Sequence, residues 1–298
     1  MADDDAFGAA FDDDIFLSEK VRNPIESLQE QKAKYTAKQD DHGWFHSGDS
    51  VAYLMQTKLG PNQIKMSIEH DYLHKNYQRA LQAALAYIAA VEDDSIDCKI
   101  TNPKEIVEAA ALCAWKLGDM KTAVECADKL NSRELGSLQT RGIVYMHGER
   151  YTDAIACFVE YNRNRHLDYK PWRYMASTFL KSFNEEPKAS DELVLHVAHA
   201  SVQRALRILS SSRWPTVEFA RKRCQAEYDD IKALQQTIVN LGGSAQDYFD
   251  YMSTHGDVAP ESLQSFHWED IIWINEECKR IAGNKDAQEE EPKSVREL

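Results

Sequence analysis

The sequence is poor in the residues that interrupt helices: its 298 positions contain only eight prolines and twelve glycines. Long stretches rich in alanine, leucine, glutamate, glutamine, lysine and arginine run between them, and these residues favour helix. The composition therefore predicts an all-α fold. A hydrophobic fraction of 43% is enough for a folded interior, so we expect disorder only in the biased terminal segments.

Membrane and export signals are also missing. No apolar run approaches the roughly 20 residues that cross a bilayer, and we identify no signal peptide. The six cysteines include no Cys-x-x-Cys pair, which favours buried free thiols over disulfides. We therefore expect a protein with no membrane span that resides in the cytoplasm, the nucleus or both.

Motifs for catalysis and cofactor binding are absent as well. The sequence has no Gly-x-Ser-x-Gly elbow, phosphate-binding loop, dinucleotide-binding glycine pattern or His-Glu-x-x-His zinc helix. The pairs His70/His74 and His196/His199 have metal-compatible helical spacing, but neither has a recognisable third ligand, so we interpret them as surface or interface residues. We predict a protein that is not an enzyme and uses no cofactor or metal.

The charge balance bears on the kind of partner. A formal net charge of −14 disfavours direct binding to nucleic acid or anionic membranes, which reward clustered lysine and arginine. Arg213 and residues 221–223 form the most basic stretch, but Glu218 and Glu227 lie close to it in sequence. We interpret this stretch as a solvated helix face or a contact for acidic groups of a partner protein.

One phrase has the form of a helix–turn–helix repeat. Residues Gly148 to Ile155 read GERYTDAI, with Gly142 and Tyr145 before them and Phe158 after them. This set resembles the tetratricopeptide consensus, in which small residues let two helices approach and aromatic residues fill the space between successive hairpins. The resemblance implies an α-solenoid of antiparallel helix pairs.

The same frame extends in both directions along the chain. The family consensus has a small residue in the second helix of each pair, and we align Ala154 with it. In the next unit, this alignment places Trp172 where the consensus has the tryptophan of the first helix. Earlier units place Ala123 and Ala80 at the small position, with irregular spacing between them. Three helix pairs and a fourth first helix are therefore predicted within residues 61–183.

We divide the chain into four predicted regions. They are an acidic tail and linker helix (1–42), the tetratricopeptide-like repeats (43–183), a C-terminal helical extension (184–283) and a charged disordered tail (284–298). The segment after Leu180 is predicted to break the fourth hairpin. Because the repeat frame is not visible beyond it, the extension is either a set of degenerate repeats or a helical cap.

A second resemblance is carried by three other phrases. The Trp44-Phe45 pair, the phrase PWRYMASTFL and the phrase SFHWEDIIWI are similar to those of a poorly characterised eukaryotic family named for a chromosome 8 open reading frame. This resemblance implies the fold and no established activity.

In tetratricopeptide arrays, fixed first-helix positions line a concave groove. Our frame places apolar side chains there, which suit a partner helix or an extended peptide. Glu69 replaces the asparagine with which relatives clamp chaperone carboxyl termini, so we do not expect that specificity. The alternative is that the chain's own C-terminal helices or N-terminal tail fill the groove. The groove residues that we predict to bind a partner are Tyr72, Leu112, Trp115, Ile143, Met146 and Arg173.

The N-terminal tail carries a second candidate binding motif. Phe7, Phe11 and Phe16 alternate with the aspartate clusters 3–5 and 12–14, and exposed rings of this kind favour docking into a pocket. Three roles stay open: an interaction scaffold or accessory subunit of an intracellular complex, a trafficking-type adaptor that displays this motif, or an accessory subunit of an RNA-processing assembly.

Overall fold

The computed structural model describes residues 43–100, 102–185, 192–212, 214–256 and 258–283, together with Lys32 and Tyr35. The phenylalanines of the tail, most of the predicted linker region and the 284–298 tail lie outside the described residues. The chain divides into two units, Met1–Trp44 and Phe45–Leu298. The helices described below belong to the second unit.

Every regular element in the described residues is a helix, which confirms the all-α prediction. The α-helices are α1 (Val51–Met55), α2 (Gly60–Leu73), α3 (Tyr77–Glu92), α4 (Lys104–Leu117), α5 (Met120–Lys129), α6 (Leu135–His147), α7 (Tyr151–Asn164), α8 (Tyr169–Glu185), α9 (Glu192–Ser211), α10 (Glu218–Asn240), α11 (Ala245–His255) and α12 (Trp268–Gly283). A short 3-10 helix, Glu261–Leu263, precedes α12.

Local sequence signals set several helix ends. Ser50, Asp119 and Ser244 precede α1, α5 and α11, and each side chain accepts a hydrogen bond from a backbone N–H in the first turn. Gly118 follows α4 with a left-handed φ of 78°, a conformation that glycine adopts without a Cβ clash.

The helices from α2 to α9 pack in chain order. Each contacts the next one along the chain, and alternate helices also contact one another: α2 with α4, α4 with α6, and α6 with α8. The helices α2, α4, α6 and α8 are therefore neighbours in that order. This succession places residues from distant parts of the sequence on adjoining helix faces.

Small side chains mark the close approaches between these helices. At Gly142 of α6, an added Cβ would lie 2.5 Å from the ring of Phe158 on α7. That ring is fully buried and stacks on Tyr174 of α8 with the centroids 5.4 Å apart. Several alanines without exposed surface occupy comparable positions: Ala80, Ala84, Ala110, Ala114, Ala123, Ala127, Ala154 and Ala176.

The fourth helix pair differs from its prediction. The sequence predicts a break after Leu180, whereas α8 continues to Glu185 and packs along α9. The repeat frame is absent from α9, but Val197, Ser201 and Ala205 recur at helical spacing and are buried, so this helix packs without the consensus residues. The next helix, α10, begins at Glu218.

Buried contacts attach α12 to the helices that precede it. Trp273 of α12 stacks on Trp172 of α8 with the ring centroids 5.6 Å apart. Arg204 of α9 forms an ion pair with Glu277 of α12 at 3.4 Å, and both side chains are almost completely buried. Loss of Glu277 would leave the buried charge of Arg204 uncompensated.

Two histidines of α9 hold the N-terminus of α11. His196 Nδ1 accepts a hydrogen bond from the backbone N–H of Ser244 at 3.1 Å, and His199 Nδ1 accepts one from Ala245 at 2.9 Å. Burial lowers the pKa of both imidazoles, although Asp247 and Glu192 oppose the effect at His196. Both rings must be neutral at Nδ1 to accept these bonds.

All six cysteines are free, and burial keeps several of them protonated. Burial raises the pKa of the Cys113 and Cys157 thiols to about 11 and that of Cys278 to about 12. Protonated thiols are poor nucleophiles and poor metal ligands. These cysteines therefore act as small core side chains.

The first prediction concerns the α6–α7 contact. Gly142→Ala should destabilise the protein by about 1–3 kcal/mol, because the added methyl group must displace a fully packed ring. Gly136→Ala is the control in the same helix, since its nearest atom would be 3.6 Å from the added Cβ, and it should be neutral or stabilising. Urea unfolding measures both variants, and equal stabilities would contradict the contact.

The second prediction concerns pH. Since the pKa values of His196 and His199 are lowered by folding, the unfolded chain binds more protons below an ordinary histidine pKa of about 6.5. The stability that these residues provide is complete above the ordinary histidine pKa of about 6.5 and is lost as the pH falls below it through their lower folded-state pKa values. Urea midpoints across this range measure the loss.

The control for this pH dependence is the double variant His196→Asn with His199→Asn. Its amide oxygens can accept the same two N–H groups without titrating, so its unfolding midpoint should depend less on pH. Equal pH dependence in the variant and the wild type would show that these histidines do not carry the effect.

Candidate partner-binding groove

A cavity of about 360 Å³ lies between α2 and α4. Its lining includes Tyr72 and Leu112, two residues predicted to line the groove, and also Leu73, which is 77% exposed. The full lining is Glu69, Tyr72, Leu73, Glu105, Glu108, Ala109 and Leu112. The cavity therefore has an apolar floor with acidic side chains beside it.

Helical spacing explains why these residues share one surface. Tyr72 and Leu73 follow Glu69 by three and four positions, which places all three on one side of α2. Ile64 and Ile68, which are buried in the core, lie on the adjoining side of α2, since Ile68 precedes Tyr72 by four positions. In α4, the lining positions likewise recur at three- and four-residue intervals, so each helix presents one face to the core and another to the cavity.

The described C-terminal helices do not line this cavity. Within the described residues, α10 packs on α8 and α9, whereas α12 packs on α7, α9 and α11. The lining comes from α2 and α4 alone. The alternative in which C-terminal helices fill the groove is therefore not realised at this cavity, and the N-terminal tail lies outside the described residues.

The acidic side chains Glu69, Glu105 and Glu108 form a rim beside the apolar floor. Ion pairs and hydrogen bonds hold these side chains in place. Lys65 forms an ion pair with Glu105 and a longer one with Glu69 at 3.9 Å. The hydrogen bond that the lysine donates to Glu105 raises the pKa of the lysine. The hydroxyl of Thr140 on α6 donates a hydrogen bond to Glu108 at 2.8 Å. Three carboxylates and one ammonium group leave the rim negatively charged.

Trp115, another predicted groove residue, lies near the C-terminal end of α4 and does not line this cavity. The Trp115 ring lies 5.2 Å from the ring of His147 on α6, and Lys116 Nζ lies 3.9 Å from the tryptophan ring centre. Burial lowers the pKa of His147, and the positive charges of Lys181 and Lys116 lower it further. Around neutral pH, this end therefore carries lysine charges around a neutral imidazole.

The other predicted groove residues occupy different environments. Ile143 and Arg173 are half-buried, and Ile143 packs against the core, as Trp115 does. Met146 is only 5% exposed and belongs to the core, so it cannot present its side chain to a partner in this conformation. The repeat frame, by contrast, placed Met146 on the side of α6 that faces the groove.

Sequence reasoning missed two lining residues, Glu105 and Ala109. A signal was present, because they lie seven and three positions before Leu112 and therefore on the same helix face. The consensus positions of the repeat family did not include them. Whether these two side chains line the cavity depends on the distance between α2 and α4, which the repeat consensus does not specify.

Comparisons with protein-family models, curated proteins and solved structures found no match to the chain. Among the helices that the structure describes, none combines the length and the apolar character that crossing a membrane requires. The geometry of the described residues is therefore the basis of the functional argument.

The third prediction tests the environment of His147. Its pKa should lie below that of an ordinary histidine, and the double variant Lys116→Gln with Lys181→Gln should raise it, because two repelling charges are removed. NMR titration of the imidazole ring measures both values. Lys129→Gln, a change on α5, is the control and should leave the titration unchanged. An unshifted pKa in the double variant would contradict this charge arrangement.

Proposed function

We propose that this protein is a non-catalytic interaction subunit whose α2–α4 groove binds a segment of a partner protein. We further propose that α2 to α9 form tetratricopeptide-like antiparallel pairs. The contacts between successive helices and between alternate helices support this arrangement, because stacked hairpins require both. The position of Gly142 against Phe158 supports the register inferred from the repeat phrase.

The exposure of Leu73 carries the argument for binding. A leucine that is 77% exposed is unremarkable alone, but this one adjoins Tyr72, Ala109 and Leu112 in a concave site. Grooves of this kind bind the apolar side chains of helices and extended peptides, and buried aromatic or aliphatic anchors dominate such interfaces. An apolar side chain of the partner would cover Leu73 and displace water from the floor.

The rim charges indicate the chemistry of the partner. Glu69, Glu105 and Glu108 flank the apolar floor, and Lys65 offsets only part of their charge. Lysine or arginine beside the apolar anchors of a partner would therefore be attracted to this rim, whereas acidic segments would be repelled. We propose a partner segment that alternates large apolar residues with basic residues.

The fourth prediction is the test of this function. Peptides selected from a random display library on the purified full-length chain should combine large apolar residues with lysine or arginine. Leu73→Ser should weaken binding of a selected peptide by about 2 kcal/mol, or roughly thirtyfold in Kd. Glu69→Lys should also weaken peptide binding. Added salt should reduce the difference in Kd between this variant and the wild type, because the rim charges are screened.

Matched controls separate the groove from the rest of the surface. Leu167 is 74% exposed but lies between α7 and α8, and Glu125 is exposed on α5. Leu167→Ser and Glu125→Lys should therefore leave the Kd unchanged. Peptides without basic residues, or equal losses in the control variants, would contradict the assignment of partner binding to this groove.

A further inference from the structure

Three metal-ligating side chains converge where the segment before α1 meets the end of α2. His46 Nε2 lies 3.2 Å from His70 Nδ1, and His70 Nδ1 lies 4.0 Å from Asp71 Oδ1. One ligand atom from each residue can be chosen so that all three lie within 4.8 Å of one another. Asp71 is 1% exposed, and both histidines are half-buried.

We propose that His46, His70 and Asp71 form a binding site for a divalent transition metal of the zinc type. Imidazole and carboxylate are established ligands of such ions. Zinc–ligand distances of about 2.0–2.1 Å in a tetrahedral site place ligand atoms about 3.4 Å apart. The spacings in this cluster are close enough that a small inward movement of the carboxylate and the His46 ring completes three-ligand coordination.

A neighbouring hydroxyl group supports this geometry. His46 Nδ1 lies 2.7 Å from the hydroxyl oxygen of Ser67 on α2, and a histidine ligand commonly uses its second ring nitrogen in such a bond. When Nδ1 donates to Ser67, Nε2 keeps its lone pair and faces His70. Ser67 is thus a positioning residue, because it orients the ring without contacting the metal.

The side chain of Arg79 opposes metal binding. Its guanidinium group lies 3.2 Å from Asp71 Oδ2 and 3.2 Å from His46 Nδ1, so its positive charge opposes a dication. The arginine side chain is 61% exposed, and the carboxylate contact uses Oδ2, whereas Oδ1 faces His70. Metal binding therefore requires Arg79 to move towards solvent, and its removal should increase the affinity.

The site also has a structural consequence. His46 belongs to the segment before α1, whereas His70 and Asp71 lie on α2, more than twenty residues later. A bound metal would join these two parts of the chain and stabilise the folded state by mass action.

The fifth prediction is tested by titrating the chelator-treated full-length chain with zinc chloride in a calorimeter. We expect one zinc ion per chain and a zinc-dependent increase in melting temperature. His46→Ala should weaken the affinity by at least about tenfold. Ser67→Ala, which retains all three ligands, should weaken it by about 10- to 100-fold. Arg79→Gln should strengthen it.

A second readout identifies the ligands directly. Cobalt(II) in place of zinc should give visible absorption bands of a tetrahedral site in the wild type, and these bands should be lost in His46→Ala. His166→Ala is the control, since His166 is exposed and lies outside the cluster. Absence of zinc binding, or equal affinity in the wild type and in both His46→Ala and Ser67→Ala, would overturn the proposal.

Discussion

Where Gly142 of α6 meets Phe158 of α7, a hydrogen atom stands where any other residue would place a carbon atom. This close approach lets the buried ring reach Tyr174 on α8, so one small residue allows three consecutive helices to pack together. The buried alanines along α3 to α8 serve the same purpose at other contacts. The order of the helices, and therefore the position of the groove, depends on these small side chains.

This packing also forms the groove, because a helix side that is buried in the core leaves another side to border the space between neighbouring helices. In α2, Ile64 and Ile68 are used by the core, which leaves Tyr72 and Leu73 beside the neighbouring face of α4. Carboxylates surround that apolar surface, and their charge is the basis of the proposed preference for basic partner segments. The same packing brings the end of α2 close to His46, where the metal-ligating cluster lies.

The repeat phrase was the most informative part of the sequence. It assigned Gly142, Ala154, Phe158 and Trp172 to positions where small residues let helices approach and aromatic residues fill the space between them. In the structure Gly142 lies against Phe158, and Ala154 and Trp172 are buried. The pairing of α8 with α9 was not predictable in this way, since α9 packs through ordinary apolar residues that carry no repeat frame.

The candidate sites were harder to predict than the fold. Two of the predicted groove residues, Tyr72 and Leu112, line one cavity. The burial of Met146, by contrast, depends on the rotation of α6 relative to its neighbours, which a consensus frame does not determine. The histidine cluster was missed for a similar reason. Besides His70, its two members His46 and Asp71 are recognisable only when the loop before α1 is placed against α2.

The central claim is that a partner segment binds between α2 and α4. Methyl NMR of the leucine-labelled full-length chain, with and without a selected apolar-basic peptide, tests it most directly. The account predicts that the largest shift changes and the peptide contacts occur at Leu73 and Leu112, with Leu167 unaffected. Changes confined to leucines of α9 and α10 would place the binding surface elsewhere and contradict the account.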